Sequence, residues 1–273
     1  MKWILIRHGA QDGAFNMALD AYLVENPPDM PVLRFYSWSP PAVSLGYNQK
    51  VPDFNPEVFD RLDIDLVLRP TGGRAVYHCH EVTYAVIIPK NCSLFALSIH
   101  RLYFNISRAI SAGLRKIGIP VEIERNKPNH KKKSDIHYDC FESTARFEIK
   151  NSGRKMVGSA QRRLANGILQ HGSILLTDRQ KILKNLFTYG DNVIQSSMDN
   201  LTVADNEIIG NNMGQDKIIE ALLWGFESEL DCRWKKEIDL SHFFTHEAQF
   251  KKRYSLYRAQ SHAHMLMQEP GIR

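Results

Sequence analysis

The sequence predicts an α+β fold: a mixed central β-sheet with flanking helices. Three observations predict it. Segments of strand character outnumber helical ones, short turn signals join several of them as hairpins, and their order is not the regular strand–helix alternation of a parallel α/β protein. At 273 residues, 43% of them hydrophobic, the chain can bury a large core. The predicted organisation is a single domain over 1–260, mostly helical from about residue 178, with a tail over 261–273.

The elements follow in order. Met1 to His8 reads as a first strand, because its apolar stretch is too short for a secretory leader. Asn16–Glu25 reads as an amphipathic helix stopped by Asn26-Pro27-Pro28. Val32–Trp38, Ala42–Tyr47 and Leu66–Arg69 read as strands, the last running into Pro70-Thr71-Gly72-Gly73. Val82–Ile88 is almost wholly apolar, which suits a strand buried on both faces. Leu102, Ile106, Ile110, Leu114 and Ile117 recur at helical spacing before Gly118. Val121–Glu124 is a strand. Phe147 and Ile149 lead into the turn Asn151-Ser152-Gly153, which returns as Lys155–Gly158, and Ile168–Leu176 supplies one more strand. The interval around Asp199–Gln215 is polar and reads as loose.

Composition removes several function classes. No apolar run approaches the roughly 20 residues of a membrane helix. The four cysteines, Cys79, Cys92, Cys140 and Cys232, form no C-x-x-C pair, so a reducing cytoplasm is the expected compartment. A net charge of +5 favours an acidic partner. The basic run Lys127–Lys133 carries no interleaved aromatics for stacking bases, so it reads as a solvated loop and no nucleic-acid partner is expected. Lys251, Lys252, Arg253 and Arg258 read as a solvated helix face.

Two segments carry chemistry. In Arg69-Pro70-Thr71-Gly72-Gly73-Arg74-Ala75-Val76-Tyr77-His78, paired glycines after a buried strand let backbone N–H groups approach a ligand, and the arginines suit a phosphate or carboxylate. The alternative is a tight turn with solvated arginines. The spacing is not that of a P-loop. The second segment is Lys155-Met156-Val157-Gly158-Ser159-Ala160-Gln161, continuing to Gln170-His171-Gly172-Ser173. A lysine on a strand followed by small residues suits a polar head group lying across the backbone. A hairpin with a surface lysine is the alternative. His78, Cys79 and His80, with His137 and Cys140, hold zinc-ligand residue types, but neighbours on a strand point to opposite faces, so no metal is expected.

With these segments in place, the chain resembles the lipoyl/octanoyl transfer family, which includes lipoate–protein ligases and, more distantly, biotin–protein ligases. The resemblance spans about Asn16 to Leu176. It rests on Asn16-Met17-Ala18-Leu19-Asp20, Leu33-Arg34-Phe35-Tyr36 with Trp38, Ser44-Leu45-Gly46, Glu81-Val82-Thr83-Tyr84 and the two segments above. It implies a biotin/lipoate ligase catalytic-domain-like fold. It also implies that Arg69, Thr71, Gly72, Gly73, Arg74, Ala75 and His78 face Gly158, Ser159, Ala160, Gln161, His171 and Gly172 across an acyl tunnel. Leu68, Ala21 and Cys79 depart from the family pattern.

Members of the family activate a free acid with ATP and magnesium, or take an acyl group from acyl carrier protein onto a cysteine. Cys140, fifteen positions before Lys155, resembles the nucleophile of the octanoyltransferases that act on the glycine-cleavage H protein. Arg74 after Gly72-Gly73 also resembles that group, where ligases carry a third glycine. The resemblance therefore implies Cys140 and Lys155 as catalytic residues, no cofactor, octanoyl–acyl carrier protein as donor, and the H protein or the lipoyl domain of a 2-oxoacid dehydrogenase as acceptor. A thiolate is the reactive form of cysteine, and a nearby ammonium stabilises it. Backbone amides near Gly72–Gly73 or Gly158–Ser159 are both open as oxyanion donors. An ATP-dependent lipoate ligase and a non-catalytic module that binds lipoyl domains are the alternative functions.

Overall fold

The computed structural model describes residues 1–124, 147–187, 206–207, 213–235 and 237–259. The chain opens with β1 (Lys2–Gln11), α1 (Gly13–Glu25), β2 (Val32–Trp38), β3 (Ala42–Gly46), α2 (Pro56–Leu62), β4 (Asp65–Arg69), β5 (Val76–His78) and β6 (Glu81–Pro89). Then come α3 (Ile99–Lys116), β7 (Val121–Ile123), β8 (Ile149–Asn151), β9 (Arg154–Arg163) and β10 (Gly167–Leu175). The remainder holds β11 (Thr177–Asp178), α4 (Leu183–Leu186), β12 (Asn206–Glu207), α5 (Gln215–Leu230), β13 (Arg233–Lys235), α6 (Ser241–Thr245), α7 (Glu247–Lys252) and β14 (Ser255–Tyr257).

The predicted mixed sheet with flanking helices forms, and a smaller second sheet accompanies it. The larger runs β13-β1-β2-β6-β10-β9-β8-β7 and the smaller β14-β4-β3-β5. Both are mixed: β1 pairs in parallel with β2 and β13, and β3 with β4, while the other pairings in these sheets are antiparallel. Of the short strands after residue 178, β13 is an edge addition to the larger sheet and β14 to the smaller, while β12 pairs with β11 alone. The predicted turn at Asn151–Gly153 closes the β8–β9 hairpin, with Ser152 (φ 49°) and Gly153 (φ 76°) in the left-handed region. Successive positive φ values match the right-handed twist of a two-residue hairpin.

Strand parity explains the apolar run of β6. Val82, Tyr84, Val86 and Ile88 face the core beneath α3 and α5, where Leu102, Ile106, Ile110, Leu222 and Phe226 pack. Ala85 and Ile87 face the opposite core with α1. Alternate side chains of a strand point to opposite faces, so a sheet covered on both sides reads as continuous hydrophobicity.

Helix α1 is not amphipathic. Gly13 to Val24 are all buried, because the helix is enclosed by the larger sheet, β4 and the α6–α7 pair. Asp12 caps it by accepting from the Phe15 N–H at 2.8 Å. Two of the C-terminal basic residues, Lys251 and Arg253, are not simply solvated either. Lys251 Nζ lies 2.5 Å from Asp12 Oδ2, and Arg253 bonds both carboxylate oxygens of Glu25 at 2.7 and 2.9 Å. They hold α7 to both ends of α1. Among the described residues no helix is long and apolar enough to cross a membrane.

Candidate active site

The site forms where the larger sheet faces β3, β4 and β5. Two rows of register-paired residues cross the larger sheet. Tyr36, Thr83, Ser173 and Gly158 form one; Arg34, Ala85, His171 and Ala160 form the next. The same parity that sends Val82 and Tyr84 to the apolar core sends Glu81 and Thr83 to the site face.

The Asn16–Asp20 motif places two polar side chains one helical turn apart on α1. Arg34 lies against them, with Nη1 2.6 Å from Asp20 Oδ1 and Nη2 2.7 Å from Asn16 Oδ1. Both partners of the Arg34–Asp20 pair are fully buried. Tyr36 donates its hydroxyl to Asp20 Oδ2 at 2.8 Å, and His171 Nδ1 lies 2.9 Å from the same oxygen. Burial pushes the Asp20 carboxyl up, but Arg34, His171 and Tyr36 together outweigh it and hold it below the ordinary value. For His171, burial outweighs the pull of Asp20 and keeps the ring neutral. An ionised acceptor at Nδ1 fixes the tautomer, so Nε2 accepts from the Thr71 hydroxyl at 2.6 Å.

A second relay runs beside it. Ser44 Oγ lies 2.8 Å from His78 Nε2, and His78 Nδ1 lies 2.8 Å from Glu81 Oε1. The same carboxylate oxygen accepts from Thr83 at 2.6 Å and Ser173 at 2.8 Å. Trp38 stacks on the His78 ring at 3.9 Å and donates its Nε1–H to Thr83. With His78 donating to the carboxylate, its Nε2 accepts from Ser44.

Arg69 organises the turn rather than offering itself to an anion. Its guanidinium donates to the carbonyls of Ser44, Gly72 and Arg74 at 2.6–3.2 Å. These bonds draw the 72–74 backbone toward β3. Gly73 has φ +102°, and a Cβ there would lie 2.6 Å from the Arg69 guanidinium, so glycine is required. Arg162 secures the far side: it donates to Pro70 O at 2.8 Å and lies over the Tyr47 ring.

A small cavity of about 30 Å³ lies between the facing sheets. Of the residues singled out in the sequence, Arg69, His78, Gly158, Ser159, Ala160, His171 and Gly172 line it. Thr71 stands behind His171. Ala75 instead packs into the core with Val43, Leu66 and Leu183. Gln161 pairs with Gln170 at 2.8 Å, and Gly72, Gly73 and Arg74 do not line the cavity. Lys155 is not a lining residue; its Nζ lies 2.5 Å from Glu148 Oε1, with both side chains buried. Cys140 lies outside the described residues, as do His137 and the Lys127–Lys133 run.

Sequence reasoning missed Ser44, Thr83 and Ser173 as site groups, and gave Trp38 and Met17 no role. Ser44 had a signal: it is the one polar side chain in the buried strand Ala42–Gly46. The cavity's polar groups bond one another, so the surface they leave to a ligand is that of Met17, Trp38, Val76 and Ala160.

Fold and site together define a domain with a small cavity, walled by two histidine-centred hydrogen-bond networks, between two facing sheets. Residues 12–227 match the lipoyl protein ligase A/B catalytic domain family, and the chain belongs to it. The chain is 35% identical over 245 residues to octanoyltransferase LipM of Anoxybacillus flavithermus, covering 86% of this chain and 88% of that protein. It is 34% identical over 257 residues to octanoyltransferase LipM of Bacillus subtilis, covering 88% and 92%. Among solved structures it resembles a bipartite lipoate protein ligase from Thermoplasma acidophilum, with TM-score 0.69 and 19% identity over 92% of this chain and 93% of that one. It also resembles lipoate-protein ligase A bound with ATP, with TM-score 0.66 and 18% identity over 92% and 94%. These two share its fold. The chain is an acyltransferase, which sets aside the non-catalytic module.

Proposed function

We propose that this enzyme moves an octanoyl group from acyl carrier protein to a lysine of a lipoyl-type acceptor domain, through a thioester on Cys140. The observation that carries the reading is similarity at about a third identity, over most of both chains, to proteins named octanoyltransferase. Cys140 supplies the nucleophile that such a transfer needs. The cavity supports it by offering an apolar wall for the chain.

The reaction has two steps. The Cys140 thiolate attacks the donor thioester, the carrier's thiol leaves, and an acyl-enzyme forms. The acceptor lysine amine then attacks the new thioester, forming an amide and releasing the Cys140 thiol. Lys155 stands on β9, whose hairpin the chain enters soon after Cys140. In this reading its ammonium favours the thiolate and steadies the acyl carbonyl oxygen. Acceptors of this chemistry are the glycine-cleavage H protein and lipoyl domains of 2-oxoacid dehydrogenases. The compartment is the cytoplasm, and no cofactor takes part.

The test is to mix the enzyme with octanoyl–acyl carrier protein and an acceptor domain, without ATP or magnesium, and to weigh the acceptor. Acylation of its lysine is the expected result. Acylation only from free acid with ATP and magnesium would replace this reading with that of a ligase.

A further inference from the structure

We propose that a groove lined by Glu81 binds a primary ammonium, with the free oxygen of that carboxylate as its counter-charge, and that the acceptor lysine is the side chain that brings it. The part played by the acceptor rests on the transfer reading above; the ammonium site does not.

Glu81 opens β6 and is 2% exposed. Its Oε1 already takes three contacts, from His78 Nδ1 and from the Thr83 and Ser173 hydroxyls, at 2.6–2.8 Å. Its Oε2 is buried and has no hydrogen-bond partner among the described residues. No lysine or arginine among them pairs with this carboxylate, whose one ion-pair contact is the His78 ring. Buried polar atoms are almost always bonded, and a buried charge left unmatched is costly. The missing group is therefore a donor, and a cation is the donor that also balances the charge.

The groove that Glu81 lines holds about 460 Å³. Glu81 is the one carboxylate among its described lining residues, and Trp38, Pro41, Leu176 and Met213 give it apolar walls. Donors close by serve other atoms. Gln215 Nε2 donates to the Glu81 main-chain carbonyl at 3.0 Å, and Arg179 Nη1 lies 3.6 Å from Cys79 Sγ. A metal ion needs several ligands, and no group of three or more His, Cys, Asp or Glu that could hold one occurs among the described residues. Apolar walls around a single carboxylate match an alkyl stem that ends in an ammonium, since such a stem buries its methylenes along apolar surface.

A lysine carries its charge on a flexible four-carbon stem, so it reaches a recessed carboxylate while its own domain stays outside. Trp38 lines both this groove and the cavity of about 30 Å³. A lysine in the groove therefore comes up against the wall of the cavity. Glu81 is here a binding residue, and no bond-making step is assigned to it.

Two probes of the full chain test the site. The first is n-butylammonium chloride, which has the head and stem of lysine and nothing else. It is expected to raise the urea midpoint of the wild type by mass action and to leave that of Glu81→Gln unmoved. Potassium chloride and n-butanol at the same concentration are expected to raise neither. The second probe is a lipoyl-type acceptor domain, compared in binding titrations without acyl donor with the same domain carrying methionine at its target lysine. Wild-type enzyme is expected to bind the lysine form about 10-fold more tightly, and Glu81→Gln to bind the two forms alike. A wild-type midpoint that responds to potassium chloride or butanol as strongly as to butylammonium would overturn the ammonium site, and this comparison needs no variant to fold. An equal response of folded Glu81→Gln to butylammonium would overturn it as well. Equal binding of the lysine and methionine forms by wild-type enzyme that responds to butylammonium would overturn the acceptor's part and leave the ammonium site standing.

Discussion

Lys155 and Glu148 form a buried ion pair at 2.5 Å, with 5% and 3% of their side chains exposed. The pair joins β9 to the residue just before β8. Lys150, opposite Lys155 in the β8–β9 register, makes a parallel pair with Glu124 at 2.7 Å. The base of this hairpin is therefore held by charges as well as by its ladder. Removing one member of a buried pair costs about 3–5 kcal/mol, because the other charge stays behind. Lys155→Met is accordingly expected to lower the urea midpoint strongly. Lys155→Met with Glu148→Leu should cost less than the two single changes added together. Simple additivity would mean that the two charges do not depend on one another.

Gly172 packs against β9. A Cβ there would lie 2.5 Å from Gly158 O and 2.6 Å from Ser159 Oγ. Gly172→Ala must therefore push β9 away from β10, and overpacking of this sort costs about 1–3 kcal/mol. Both strands carry cavity residues, so acyl transfer should fall more than stability does. A thermal melt with an activity assay on the same sample reads both. An unchanged melting temperature with unchanged activity would contradict the close contact.

His8 sits beside the buried Arg34, whose Nε donates to its Nδ1 at 3.3 Å. Burial and then the Arg34 charge pull its pKa down to about 4, against an opposing pull from Asp20. Its folded value is thus below its unfolded value of about 6.5. Between the two, the unfolded chain binds more protons, so stability falls as pH drops from about 6.5 toward about 4. His171 adds to the same trend, being held neutral by burial. His8→Asn keeps an acceptor for Arg34 without titrating. Its urea midpoint should fall less between pH 7 and pH 5 than that of the wild type, and an equal fall would assign the loss to other groups.

Much of this was legible in the sequence, for physical reasons that differ by element. Val32–Trp38 and the Ile168–Leu176 strand are strongly patterned, and both form within a residue or two of their predicted bounds. Helix α1 misled, because Asn16 and Asp20, one helical turn apart, look like part of a polar face. Their polar groups in fact bond inward: Asn16 and Asp20 receive Arg34, a residue from another strand. The partnership of Ser44 with His78 and Glu81 depends on one sheet facing another. No local spacing encodes that arrangement. The glycine-bearing turn was recognised, but the task of its arginine was not. Arg69 reads as an anion ligand until the fold brings three carbonyls to it.

In the proposed reaction the acyl group passes through a thioester on Cys140. The most direct measurement incubates the enzyme with octanoyl–acyl carrier protein, without ATP or acceptor, and takes its intact mass before and after neutral hydroxylamine. A single octanoyl adduct is expected, removed by hydroxylamine and absent from Cys140→Ala. An adduct-free enzyme that nonetheless acylates the acceptor, or a Cys140→Ala variant that transfers at the wild-type rate, would contradict it.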